Sequence, residues 1–165
     1  TIKKIHSGPA YTDRTAMSEI QLISPANNSS VNATQISASD TSPENNDGNY
    51  EANNLQDGLK DTAWCTPNGD GESLVFNFGS QKSFSSLELI NTNAVNLKIS
   101  MAYARPTQMK LQFDDGAETI TVKPFMSKQK LDFPKHKSKT VTITLEKNMA
   151  GKQFQDSCIS EMYLK

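Results

Sequence analysis

The chain has 165 residues, 35% of them hydrophobic and 21% charged, and a formal net charge of −1. That suits one domain with a tail and is enough to bury a real core; no run approaches the ~20 apolar residues of a membrane span. No secretory leader is recognisable, so any leader is expected outside these residues. The charge is uneven: residues 25–80 carry eight acids against the single base Lys60, whereas residues 101–165 carry eleven bases against seven acids. The acidic half argues against nucleic acid as a partner, because a nucleic-acid clamp needs a continuous basic face. A dense acidic loop is what a hard cation prefers, and it is equally what keeps a long loop soluble.

In chain order, the first feature is an echo. Gly8, Tyr11, Asp13 and Ser18-Glu19 near the start recur as Gly151, Phe154, Asp156 and Ser160-Glu161 near the end. Tandem repetition explains such an echo, residues 1–24 then being the last strand of a preceding repeat domain plus the start of a linker; the alternative is two similar edge strands of one sandwich. Residues 25–34 (Pro25-Ala26-Asn27-Asn28 onward) read as a linker, with a short strand near Gln35–Ser39 and a turn-rich loop from Ser42 to Asn49. After the loop come short runs of strand character: Ser73–Phe78, Phe84–Ile90, Met109–Phe113, Thr119–Val122, Gln129–Phe133, Thr140–Leu145 and Cys158–Leu164. The first two read as strands joined by a turn at Gly79–Lys82, the second with Leu87 and Leu89 on one face and Phe84, Ser86, Glu88 and Ile90 on the other. Asp114-Asp115-Gly116 marks a hairpin. With no convincing amphipathic helix between the runs, the class is all-β, a jelly-roll-like sandwich spanning residues 35–165.

The informative stretch is Tyr50–Trp64. Its Asn54-Leu55-Gln56-Asp57-Gly58, followed by Thr62-Ala63-Trp64, resembles the signature of discoidin-like (coagulation factor 5/8 type C) domains and related galactose-binding-type modules. Asp57-Gly58 with Thr62-Ala63-Trp64, then Gly69-Asp70-Gly71-Glu72-Ser73, then Gly151, Asp156 and Ile159-Ser160-Glu161 together resemble more closely the translocation domains attached to streptococcal NAD glycohydrolases. The resemblance covers residues 35–165 and departs from the pattern between Asn91 and Ala104, the loops that often hold ligand. It implies a non-catalytic module of a secreted or surface protein that binds a glycan or, alternatively, docks on a protein surface or aids translocation of a companion enzyme. A neighbouring repeat domain of the same chain is a further partner.

The resemblance also implies one structural Ca²⁺, held by the Asp57 and Glu161 carboxylates, the Thr62 hydroxyl, and main-chain carbonyls from Leu55 or Asn54, Lys60 or Asp61, and Ser160. The competing reading is that Asp57 and Thr62 only hydrogen-bond their own turn and Glu161 pairs with a lysine. If Asp57, Thr62 and Glu161 converge, Cys65 and Cys158 also come close, as a disulfide in an oxidising compartment or as two buried thiols. Trp64 reads as core rather than as a sugar platform. Asn91, Asn93, Tyr103 and Arg105, in the divergent loops, are the candidate ligand-binding residues, since Asn and Arg make the planar polar contacts that a glycan or a carboxylate needs. Lys135-His136-Lys137-Ser138-Lys139 is a basic cluster that reads as a solvated hairpin tip or, alternatively, as a site for an anionic glycan or headgroup. Neither His6 nor His136 lies near a nucleophile signature, and phosphate-loop, zincin and four-ligand zinc spacings are missing, so no catalytic residue is assigned.

Overall fold

The computed structural model describes residues 31–45 and 48–165. His6, the tail 1–24 with its half of the echo, and linker residues 25–30 lie outside the described residues. Among the described residues there are eight strands: β1 Gln35–Ala38, β2 Trp64–Thr66, β3 Ser73–Ile90, β4 Arg105–Phe113, β5 Gly116–Thr121, β6 Gln129–Met149, β7 Ser157–Ile159 and β8 Glu161–Leu164. A 3-10 turn, Ala52–Gln56, and one short helix, α1 Leu97–Ala102, are the helical elements among the described residues. Asn96 caps α1, its Oδ1 accepting from the Ile99 N–H at 3.0 Å, as an N-terminal asparagine should.

Two long strands organise the molecule. The first half of β3 (Ser73–Asn77) pairs with the second half of β6 (Thr140–Thr144), and the second half of β3 pairs with the first half of β6. Around the first pair gather β1, β4 and β5; on the other side of the second lies β8. The two halves so form two layers of a sandwich. Leu74, Phe76 and Phe78 from one half of β3 and Phe84, Leu87 and Leu89 from the other enter one core cluster with Met109, Leu111, Val141, Ile143 and Leu145. The alternation of buried and open positions along these strands is the period-2 pattern of a half-buried sheet. Trp64 is fully buried, and its indole N–H donates to the Asp40 carbonyl at 3.2 Å.

Three expectations are corrected here. Ser73–Phe78 and Phe84–Ile90 do not form a hairpin with each other; they are one strand bent at Gly79, whose φ of 72° suits glycine, and both halves take β6 as partner. Phe84 does not lie opposite Leu87 and Leu89: all three are inward. The Ser85 and Ser86 N–H groups both donate to the Lys165 carbonyl, at 2.6 and 3.0 Å. Such a bulge inserts one residue and reverses the in–out phase. The last strand is broken at Ser160, so that β7 pairs with β2 and β8 with β3. The end of the assigned linker, residues 31–34, lies against the sandwich: Val31 and Ala33 pack on the core, and the Ala33 N–H donates to Gln56 Oε1 at 2.9 Å.

The Asp114–Asp115 turn joins β4 to β5 and is clasped by the basic residues 135–139, which form the middle of the continuous strand β6 and not a hairpin tip. His136 stacks on Phe113 with 4.5 Å between centroids. Its Nδ1 lies 2.8 Å from Asp115 Oδ1 and its Nε2 3.0 Å from Glu118 Oε1. Both ring nitrogens face acceptors, so both must donate, and the imidazole is held as a cation. Its pKa is raised from 6.5, first by the Glu118 hydrogen bond and then by that of Asp115. That of Asp115 is lowered from 3.8, first by the Lys137 N–H and then by His136. A raised histidine stabilises fully below its unfolded pKa and loses that contribution as pH climbs through the folded value; a lowered aspartate loses its share as pH falls through its own. The wild-type melting temperature should therefore decline as pH rises from 6.5, and that component should vanish in His136→Ala. Parallel slopes for the two proteins between about pH 6 and 9 would show that the clasp contributes nothing.

Candidate functional site

Two recesses are built around the Asp57-Gly58 turn, one on each side. The turn is closed locally. Asp57 Oδ1 accepts the Leu59 N–H at 2.8 Å, and the Thr62 hydroxyl lies 2.7 Å from both Asp57 Oδ2 and the Leu59 carbonyl. Gly58, at φ 81°, provides the left-handed corner. From the other end of the chain, β8 brings Glu161 against the same turn.

The larger recess, about 620 Å³, is lined by Gln56, Asp57, Lys60, Lys128, Glu161 and Tyr163, with the Lys165–Glu88 ion pair (2.7 Å) on its wall. Glu161 is 4% exposed, and its Oε1 has no hydrogen-bond partner. Burial is the main cause of its raised pKa; the Tyr163 hydroxyl and Lys128 pull it back, and the adjoining Asp57 carboxyl pushes it further up. Tyr163 is itself pushed well above the phenol range by burial and by Glu161, and keeps its proton. Two carboxylates crowded together with one oxygen unmet is an unfavourable arrangement for the protein alone, and it fits a hard cation. No third Asp, Glu, His or Cys side chain joins them among the described residues, so the remaining oxygens have to be hydroxyl, carbonyl or water. The structure thus brings Asp57 and Glu161 together. It keeps Thr62 on Asp57, on the side of the turn that faces the second recess.

The second recess is two adjoining hollows, about 230 and 100 Å³, that share Tyr50 and Asn93. The larger is completed by Asn49, Asn54, Asp61 and Thr62, the smaller by Val95, Ile99 and Tyr103. Beneath them is a small cluster of Tyr50, Ala63, Ala102 and Tyr103 around the Cys65–Cys158 disulfide, which joins paired positions of β2 and β7. The Tyr50 and Tyr103 hydroxyls meet at 3.3 Å, and Phe154 lies on the Tyr103 ring at 4.7 Å.

Of the four residues expected to bind ligand, Asn93 and Tyr103 line these hollows. Asn91 does not: it is fully buried, its Nδ2 donating to the Pro106 carbonyl at 2.7 Å and its Oδ1 accepting from Gln129 at 2.9 Å. Both ends of its amide are used to tie β3 to neighbouring segments. Arg105 is half-buried, directs Nη2 to the Met149 sulfur at 3.3 Å, and does not line the hollows. Tyr50, Asn49, Asn54 and Asp61 do line them, and sequence reasoning singles out none of their side chains for a glycan, naming only Asn54 and Asp61 as possible carbonyl ligands of the cation. Their one signal is position: Asn54 opens the Asn-x-x-Asp-Gly turn and the other three flank it, so any loop folded over that turn must pass beside them.

This architecture is a β-sandwich shared with solved modules of other proteins. The chain superposes with a TM-score of 0.61 on the CBM32 of AlyQ in complex with 4,5-unsaturated mannuronic acid (15% identity, covering 83% of this chain and 98% of that one). It superposes with 0.58 on the family 32 module of NanJ from C. perfringens in complex with galactose (17%, 79% and 91%). For chitosan-binding module 1 of a Paenibacillus sp. IK-5 chitosanase/glucanase, the values are 0.56, 16%, 82% and 96%. These identities establish the shared fold. Residues 28–165 match the model of the NAD glycohydrolase translocation F5/8 type C domain, and the chain belongs to that family. Comparison with the curated proteins finds no match.

Proposed function

We propose that this domain is a non-catalytic module that binds a glycan at the paired hollows around Tyr50 and Asn93. The observation that carries the reading is their composition. A polar hollow about the size of one sugar ring adjoins an apolar one floored by Tyr103, and ligand sites combine few polar groups with apolar surface in this way. The disulfide supports a secreted or cell-surface location, since such bridges persist in oxidising compartments. Neighbours of this fold bind galactose, a uronic acid or chitosan, so the fold supports the class of ligand and not its identity. On this reading the partners are a glycan and the neighbouring domain of the same chain that the echo implies. The hard-cation site, with Ca²⁺ as its occupant, is centred on Asp57 and Glu161, and it steadies the turn to which Thr62, a lining residue of the larger hollow and the third expected ligand, is hydrogen-bonded.

The test is a titration of the isotope-labelled protein with galactose and other neutral sugars, read by amide chemical shifts. Saturable shifts at Tyr50, Asn54 and Asn93 are expected, with affinity weakened several-fold in Asn93→Ala at unchanged melting temperature; a panel of neutral and charged sugars that moves none of these amides sinks the reading. A second reading, a translocation or assembly module making protein contacts, is favoured by Val95, Leu97 and Phe154, which are 48%, 65% and 44% exposed. Under it no sugar saturates the hollows.

A further inference from the structure

The lining of the larger hollow discriminates by charge. Among the described residues its one acidic side chain is Asp61, which has no hydrogen bond or ion pair there. Among the described residues no lysine or arginine lines either hollow. The single base of residues 25–80, Lys60, lies in the recess on the far side of the turn. Hydrogen-bonding capacity is skewed the same way. Asn54 spends its amide donors on Asn49 and on the Ala63 carbonyl, so that what it offers the hollow is its Oδ1. Asn93 supplies a donor through Nδ2, its Oδ1 being turned to the Val95 N–H. The hollow is therefore rich in acceptors, poor in donors, and negatively charged.

We infer that the hollow selects sugars bearing a free amino group, with Asp61 as the partner of the ammonium. This rests on the glycan reading above and names the substrate class of that site. An ammonium has three donors and no acceptor, which matches the Asp61 carboxylate and Asn54 Oδ1. N-acetylation removes the charge and adds an acceptor. A sugar carboxylate is worse placed: it brings acceptors only, finds no cation, and meets the like charge of Asp61. Both residues stand on the loop that the Asp57 turn fixes, so the acceptors are set before ligand arrives.

The experiment titrates residues 1–165 with the β-1,4-linked glucosamine disaccharide, its N,N′-diacetyl form and a mannuronate disaccharide, by amide shifts at low salt. The free-amine sugar should bind about fivefold more tightly than the acetylated one, a margin ordinary for an exposed charge pair. The preference should shrink at ~0.5 M salt as screening sets in. Asp61→Asn should abolish the preference while leaving binding of the acetylated sugar, and the shifts at Asn93, in place. Equal or tighter binding of the acetylated or mannuronate sugar at the same amides overturns the inference and leaves the glycan reading standing. If none of the three, nor galactose, moves those amides, the glycan reading falls and this inference with it. An amine preference that survives in Asp61→Asn also overturns the inference, because another group must then hold the ammonium.

Discussion

Cys65→Ala with Cys158→Ala will lower the unfolding free energy by about 4 kcal/mol, close to what the chain-entropy model assigns to a bridge of this span. The two cysteines are 93 positions apart, so the bridge closes more than half of the chain into one loop. Domains of this size are stable by only about 8–25 kcal/mol at ~0.05–0.15 kcal/mol per residue, which makes the bridge a large share of the total. A fall of about 10 °C in melting temperature follows for a chain of this length. The loss should be local in its first effects. The bridge is fully buried between Tyr50 and Tyr103, so the hollows above it should loosen before the main layers do. Hydrogen exchange should show early opening at Tyr50, Ala63 and Tyr103, with Val141 and Ile143 protected. Reducing agent should reproduce the effect only after partial unfolding, because neither sulfur is accessible. A melting temperature within about 2 °C of wild type would mean that the β2–β7 pairing suffices alone.

Calcium at about a hundred times its dissociation constant should raise stability by about 2.7 kcal/mol, or about 5–10 °C. The sign of the accompanying mutation is diagnostic. In chelator, Glu161→Gln removes a desolvated charge that faces Asp57 and should leave the protein equal to wild type or slightly more stable. In calcium, the same variant should be the less stable of the two, because it has lost a carboxylate ligand. Asp57→Ala should also abolish the calcium response, at a cost to the turn that Leu59 and Thr62 share with it. Thr62→Val separates the roles: it loses the turn hydrogen bond, and a reduced calcium increment would make the hydroxyl a ligand as well. Identical melting curves in chelator and calcium for wild type would eliminate the cation.

Much of this fold is legible because its strands obey period two wherever one face is buried. Leu74, Phe76 and Phe78, or Val141, Ile143 and Leu145, announce themselves by spacing. What spacing does not carry is partner choice. Gly79 between two apolar runs looks the same whether the chain reverses or bends, and only β6, much later in the chain, decides for the bend. The phase slip at Ser85–Ser86 is equally invisible, because it is imposed by the Lys165 carbonyl across the sheet. At the candidate site, the meeting of Asp57 with Glu161 follows from a family resemblance and from no local pattern. Asn91 is misplaced for a physical reason: an asparagine in a loop advertises hydrogen bonds without saying whether water or its own backbone takes them. Asp61 is legible only as one acid among eight, until Lys60 is found on the opposite side of the turn.

The break at Ser160 has a consequence for the order in which the molecule can be made. Residues 157–164 supply β7, the second sulfur of the bridge, Glu161 and β8. Every one of these contacts an element far earlier in the chain, in β2, the Asp57 turn or β3. A nascent chain leaving the ribosome therefore holds an unpaired Cys65, an open edge on β3 and an uncovered Asp57 turn until residues 157–164 emerge. It can assemble the bent sheet of β1, β3, β6, β4 and β5 beforehand, but it cannot close. Withholding that short segment is therefore enough to keep the domain from closing, though not from building its main sheet.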